Sequence, residues 1–307
     1  MKTAASLDAA VFKGSEYIMI DLHIHTIHSD GSCTPREILR EAEESGLNCI
    51  SITDHNSVGA YFDPILRDEP FIGKLIPGIE ITCMFEGEVV EVLGYGINIF
   101  SMQEELSKHV LSFEQKQLKE YNLISNRFSQ IGLLFNKENI QFVPKRESSR
   151  KSFLKELNCY PENRRFFSGE DSWQKSKDFA RQEIYNPESP LYVDESSLYP
   201  SVETAVQMIH RCGGIAFWAH LFVYAHAESF RSRLERLVQQ FGLDGMECYH
   251  SDFTSDQCSD LDAFCKSHGL LRSGGSDYHG TRKPNTPMGA PQVAEAIIEN
   301  WPEIMLF

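Results

Sequence analysis

The stretch IDLHIHTIHSDG at residues 20–31 sets three histidines and two aspartates directly behind an apolar lead-in. On a strand, residues two apart leave the same face, so His23 and His25 would root about 6.6 Å apart, close enough for two imidazoles to grip one metal ion. Taken alone, an H-x-H is more often a half-buried pair with satisfied hydrogen bonds, so the rest of the chain decides. Other apolar runs finish in the same residue types: ITDH in Asp54 and His55, PGIE in Glu80, VVE in Glu91, FWAH in His220, and GGSDYH in Asp277 and His279. Together these are more ligands than one ion needs, and carboxylates packed that closely repel unless cations lie between them. A cluster of two or three divalent cations is the physical solution.

Such side chains converge only if the runs that carry them end on one rim. β-rich runs fall at 17–24, 48–53, 74–82, 89–97, 214–220, 245–249 and 270–277, several of them almost continuously apolar, as strands buried on both faces of a parallel sheet read. Helical patterns lie between them. TPREILREAEESG (34–46) has Pro35 where a first turn tolerates it and Gly46 where a helix stops, and SVETAVQMIHRCGG (201–214) has a serine cap and a closing glycine pair. Strand then helix, repeated, predicts an α/β fold of parallel units closing into a barrel with its site at the C-terminal ends of the strands.

Residues 101–200 break the rhythm with long polar helical segments. They hold equal numbers of basic and acidic residues, so the rest of the chain carries the whole net charge of −15. The expected division is a barrel begun over 15–100, a mostly helical insertion serving as lid or cap over 101–200, and a barrel completed over 201–307.

That acidic balance weighs against a nonspecific or duplex-DNA binder, because phosphate-backbone affinity comes mainly from Lys and Arg. The eight cysteines include no CxxC pair, which argues against a zinc finger or a disulfide framework and for reduced thiols. No run approaches the 18 or so apolar residues of a membrane span, and the first residues lack a signal-peptide core. A cytoplasmic protein with no membrane partner is expected.

In this order and spacing, DLHIHTIHSDG, ITDH, PGIEI, the AH of FWAH and GGSDYHG resemble the motifs of the polymerase and histidinol phosphatase (PHP) family of metal-dependent phosphoesterases, over roughly residues 17–100 and 200–290. The resemblance implies a distorted seven-stranded, TIM-like β/α barrel with a trinuclear site of manganese, iron or zinc. The insertion after the fourth strand resembles the branch acting on small phosphorylated compounds, nucleoside 3′,5′-bisphosphates and short oligoribonucleotides among them. Carried over position by position, His23, His25, Glu80 and Asp277 match the first metal position, with Glu80 as a bridge. Asp30, His55 and His279 match the third, and His220 with Glu80 the second. Glu80, Asp277 and His55 are the candidate catalytic residues. The family usually shows a histidine just before LGY; Glu91 stands there, a harder ligand that favours Mn or Fe over Zn. Leu221 replaces a common proline, and Phe253 a histidine that can face substrate, with His250 nearby as a substrate-binding candidate.

What the resemblance implies chemically is water activated by the cations and phosphoryl oxygens held in line for displacement. Lys283, just past the last ligand, and Arg272, on the strand leading to it, are the candidates for phosphate contact. Asp54 reads as a partner that orients a ligand. His28 reads as pocket-lining or solvated, and His109, His210, His226 and His268 as ordinary surface or core histidines. Cys83 and Cys248 read as buried inert thiols. KRESSRK (145–151), with Lys155, Arg164 and Arg165, fits equally a lid meeting a phosphorylated substrate and a solvated helix face. The expected function is hydrolysis of a phosphate ester of a small molecule, a nucleotide or short RNA, with histidinol phosphate as the alternative substrate. A noncatalytic, metal-stabilised binding module is the rival class. Amide hydrolysis fits less well, since no predicted strand ends in a lysine.

Overall fold

The computed structural model describes residues 19–140, 143, 148–224 and 227–307. The residues before Met19, Lys145, Arg146, Glu147 and His226 lie outside that range.

The described strands form two sheets. In the first, ordered β3-β2-β1-β9, β1 (Met19–Ile24), β2 (Leu47–Ile52) and β3 (Lys74–Leu75) run parallel, and β9 (Val293–Ala294) lies antiparallel to β1. The second is ordered β4 (Gly78–Phe85), β5 (Glu88–Tyr95), β6 (Ile215–Trp218), β7 (Gly245–His250) and β8 (Leu271–Gly275). Here β6, β7 and β8 are parallel, while β5 is antiparallel to both β4 and β6. Single bridges, Ile24 to Tyr278 and His55 to Glu80, stitch the two sheets along their seams. The fold is thus mixed α/β, with sheets of four and five strands where one continuous parallel ladder was expected.

The departure has a local cause. Glu86 and Gly87 both adopt left-handed backbone, φ 50° and 82°, which makes the two-residue turn whose twist matches that of flanking strands. β4 therefore returns at once as β5, paired from Gly78 and Tyr95 to Phe85 and Glu88, instead of crossing over through a helix. Glu80 and Glu91 consequently sit inside a hairpin rather than at strand ends.

Where the chain does cross over, the expected helix signals operate. The helix Pro35–Glu44 has a capping box, Thr34 with Glu37, and Pro35 in its first turn. The helix Val202–Arg211 is capped by Ser201. Both bury one apolar stripe against the sheets: Ile38, Leu39 and Ala42 in the first, Ala205, Val206 and Ile209 in the second. Between β5 and that second helix the described chain is helical or irregular, with long helices Ile99–His109 and Phe113–Gln130. Residues 124–193 gather an apolar cluster of their own, in which Phe128, Phe153 and Phe179 are fully buried.

Candidate metal centre

β1 delivers His23 and His25 from one face, their ring centroids 5.1 Å apart. The loop after β2 delivers His55, the hairpin Glu80 and Glu91, and the segments after β6 and β8 deliver His220, Asp277 and His279. Two of these side chains hang from strained backbone: Asp277 has φ 57° and His220 φ 22°, conformations that non-glycine residues keep only when their surroundings impose them. β1 and β8 also approach so closely that a Cβ on Gly275 would lie 2.4 Å from the backbone nitrogen of His23. Glycine is required there for the Asp277 loop to reach the histidines.

At the centre, Glu80 Oε2 faces three imidazoles: His23 Nε2 at 3.2 Å, His25 Nε2 at 3.3 Å and His55 Nδ1 at 3.1 Å. Its other oxygen accepts from His220 Nε2 at 2.9 Å. Asp277 Oδ1 lies 3.2 Å from His25 Nε2 and 3.3 Å from His279 Nδ1, and Asp30 Oδ1 lies 3.1 Å from His279 Nε2. Glu91 reaches both ways, with Oε1 3.3 Å from His55 Nδ1 and Oε2 3.2 Å from His220 Nε2. All nine expected ligands come together.

Apart from the His220–Glu80 bond, the atoms at the centre converge without hydrogen bonding to one another. Glu80 Oε2, His23 Nε2, His25 Nε2 and His55 Nδ1 are buried with no hydrogen-bonding partner among the described residues. Leaving so many polar atoms unsatisfied is costly for a core. It is the natural state of atoms that share a cation, since ligands about 2.1 Å from one ion stand about 3.0–3.4 Å apart. The donor set therefore fits divalent metal binding, and imidazole with carboxylate suits manganese, iron and zinc alike.

Burial pulls His23 down, but the carboxylates of Glu80, Glu247 and Asp277 outweigh it and hold this histidine well above its usual range. Burial pulls His25 down as well, but the Asp277 and Glu80 carboxylates beside its Nε2 push it up to about 9. Burial would raise Glu80, yet His23 and His55 beside it hold its carboxyl well below the usual value.

A second layer of hydrogen bonds braces these side chains. Asp54 accepts from Thr26 N at 2.7 Å, Thr26 Oγ1 at 2.6 Å and Ser29 Oγ at 2.5 Å, bracing the loop that carries Asp30, as expected of an orienting partner. Sequence reasoning missed Glu247. This fully buried carboxylate accepts from His23 Nδ1 at 2.9 Å and from the His220 backbone N–H at 2.7 Å. In the neutral ring of His23 the first bond turns the Nε2 lone pair toward the cluster, the state a ligand needs. The available signal was a lone charge inside the apolar run GMECY.

Glu247 and His250 are three apart and would face opposite ways on a regular strand. One extra residue in β7 between Glu247 and Tyr249 makes a bulge that aims both inward, which explains the out-of-register His250. His250 Nε2 lies 3.4 Å from Asp277 Oδ2, and its Nδ1 accepts from the Asp252 N–H at 3.1 Å. Phe253 packs against His250, with ring centroids 5.2 Å apart, and against Phe222.

A cavity of about 300 Å³ opens over the cluster, lined by Asp30, His55, Glu91, His220, Val223, Asp277, His279, Arg282 and Lys283. Lys283 pairs with Asp277 Oδ2, and Arg282 is a lining cation that the sequence had not singled out. Arg272 is a correction. It lies near the start of β8, three residues before that strand ends, and bonds Asp262 at 2.8 Å on the flanking helix Ser255–His268. Only residues at or beyond the strand's far end reach this rim. Cys83 and Cys248 are buried; burial raises the first thiol and contact with Cys265 the second, so neither is a ready nucleophile. Of the remaining histidines, His109, His210 and His268 pair with surface carboxylates.

A mixed α/β fold that gathers histidines and carboxylates in this way presents a candidate divalent-metal site. The PHP domain family model matches residues 21–159 of this chain. It is 26% identical over 268 residues to the 5′-3′ exoribonuclease Rnm of Escherichia coli, covering 85% of each chain. It is 24% identical over 284 residues to the 3′,5′-nucleoside bisphosphate phosphatase of Chromobacterium violaceum, covering 88% of this chain and 90% of that one. In fold it is similar to a candidate metal-dependent phosphoesterase from Bifidobacterium adolescentis, with TM-score 0.58 and 22% identity over 91% of this chain and 93% of that one.

Proposed function

We propose that this chain is a metal-dependent phosphoesterase that hydrolyses phosphate esters of nucleotides, with a nucleoside 3′,5′-bisphosphate or the end of a short RNA as substrate. The observation that carries the reading is Glu80 Oε2, buried and without a hydrogen bond among three imidazoles. The named activities of the two curated relatives, alike over most of the chain, support the substrate class.

In this reading His23, His25, Glu80 and Asp277 hold one cation, Glu80, Glu91 and His220 a second, and Asp30, His55 and His279 a third. Bound divalent cations lower the pKa of an attacking water and clamp phosphoryl oxygens. The chain's own residues do the rest. Lys283 and Arg282, on the cavity wall, attract and orient the phosphate and offset charge that builds on its oxygens. The Asp252 N–H occupies Nδ1 of His250, so neutral His250 carries its proton on Nε2 and can donate it to a substrate oxygen beside Asp277. Glu247 and Asp54 hold the ligands in place. Val223, half-exposed on the cavity wall, with the Phe222–Phe253 pair beside it, offers an apolar surface to the base or sugar of the leaving group.

We read the two sheets as one distorted barrel of seven main strands, split at its seams, with residues 101–200 inserted as a cap; the separate apolar cluster at 124–193 supports the division. Eight free cysteines support a reducing, cytoplasmic setting.

The test is phosphate release by the manganese-loaded protein from nucleoside 3′,5′-bisphosphates, mononucleotides, short RNA and histidinol phosphate, compared side by side. One nucleotide class should stand clearly ahead. Lys283→Ala should raise KM on that substrate about tenfold, the cost of one charge-assisted contact, and Arg272→Ala should leave KM unchanged. Turnover of histidinol phosphate alone would overturn the substrate assignment.

A further inference from the structure

Glu91 does something a histidine in its place cannot do. A neutral imidazole offers a single lone pair and so serves one ion, whereas a carboxylate has two oxygens that can serve two. In this structure the two oxygens of Glu91 are divided: Oε2 lies 3.2 Å from His220 Nε2 and Oε1 lies 3.3 Å from His55 Nδ1. Those histidines belong to different ligand groups, His220 with Glu80 and His23, and His55 with Asp30, His25 and His279. The hairpin sets this orientation. Glu91 pairs with Thr82 in the ladder, Thr82 is tied to Asn56 beside His55, and the Glu91 N–H donates to Tyr224 OH at 2.8 Å beside His220. The backbone of Glu91 is thus anchored from both sides, and its carboxylate spans the gap between them.

We propose that Glu91 is a bridging ligand joining the second and third cation positions, so that these two positions fill together and select hard cations. The inference rests on the metal reading above. It adds a second carboxylate bridge to the one Glu80 provides, and it gives each of the two positions an additional oxygen where an imidazole would serve only one of them. No ion pair joins Glu91 to His23, His25 or Asp277 among the described residues, so the position built on those three does not depend on Glu91 directly.

The experiment is metal analysis after equilibrium dialysis of chelator-stripped protein against Mn(II) or Zn(II), with wild type, Glu91→Gln and Glu91→His compared. Thermal unfolding of each stripped variant serves as the control for folding. Wild type should hold three Mn(II) per chain. Glu91→Gln should hold one, with the other two weakened together by on the order of 10- to 100-fold, at least what loss of a ligand's support alone costs. Glu91→His should regain one of the lost ions and not both, and its preference should move from manganese toward zinc. Loss of a single ion in Glu91→Gln, or recovery of both ions in Glu91→His, would overturn the bridge and leave Glu91 a terminal ligand. Wild type with one or two ions would also overturn it, since a bridge needs both neighbours filled. Wild type with none would bring down the metal reading as well.

Discussion

Two fully buried glutamates, one in each part of the molecule, are kept in opposite ways. Glu183, among residues 124–193, is saturated by neutral donors: Ser168 N, Ser168 Oγ and Ser172 Oγ on one oxygen and Ser189 Oγ on the other, each at 2.6 Å. Glu80, on β4 of the second sheet, has a charged oxygen aimed at three rings and bonded to none among the described residues. A carboxylate with every lone pair satisfied ties the chain together. A carboxylate with a lone pair left over in a dry, histidine-lined space is waiting for a cation. Burial and charge are the same in both, and only the inventory of partners separates structure from function.

The sharpest way to break this contrast is to neutralise each glutamate in turn. Glu80→Gln should lower phosphate release on the order of 10³-fold or more, the several kcal/mol that metal-assisted catalysis supplies, and should lower bound metal while the protein stays folded. Full activity in that variant would end the comparison. Next in size is Glu247→Gln, which leaves every ligand present but loosens the hold on His23 and His220. Metal affinity should fall by about 10- to 100-fold, read by competition with a chelator. Glu183→Ala should do the reverse of Glu80→Gln, costing about 1–3 kcal/mol of folding stability through its abandoned donors while metal content holds. Loss of metal there would show that the two regions are not independent.

The smallest expected effect is a pH dependence. His25, held up to about 9 in the metal-free fold, stabilises that fold fully below its unfolded pKa of about 6.5. That contribution should fade as pH rises through about 9, so the melting temperature of stripped protein should drop across this window. Manganese-loaded protein should show no such drop, because bound metal has already displaced the proton. Identical profiles for the two forms would contradict a proton-filled cluster.

The candidate ligands were legible in the sequence because each is a polar residue closing or following an apolar run, and the α/β arrangement that gathers them is carried by strand and helix periodicity. His55, His220, Asp277 and His279 sit where that reading puts them. What escaped it are features set by a single residue. The Glu86–Gly87 turn converts a crossover into a hairpin, which changes how Glu80 and Glu91 are presented without removing them from the site. One extra residue in β7 places Glu247 and His250 on the same side, against the alternation that a regular strand would give. Arg272 misled because a residue's rim depends on which end of a strand it occupies, and the run 270–277 does not mark its own ends. The divided oxygens of Glu91 are a matter of side-chain direction that no spacing encodes.

The most direct test of the central claim is a metal titration of activity. Chelator-stripped protein would be given Mn(II) stepwise with adenosine 3′,5′-bisphosphate as substrate, with bound metal and released phosphate measured in the same samples. Stripped protein should be inactive, turnover should appear only as the cluster fills, and Glu80→Gln should remain inactive at every step. Full turnover in the stripped protein, or a filled cluster that releases no phosphate from this or any ester of the panel, would contradict the assignment.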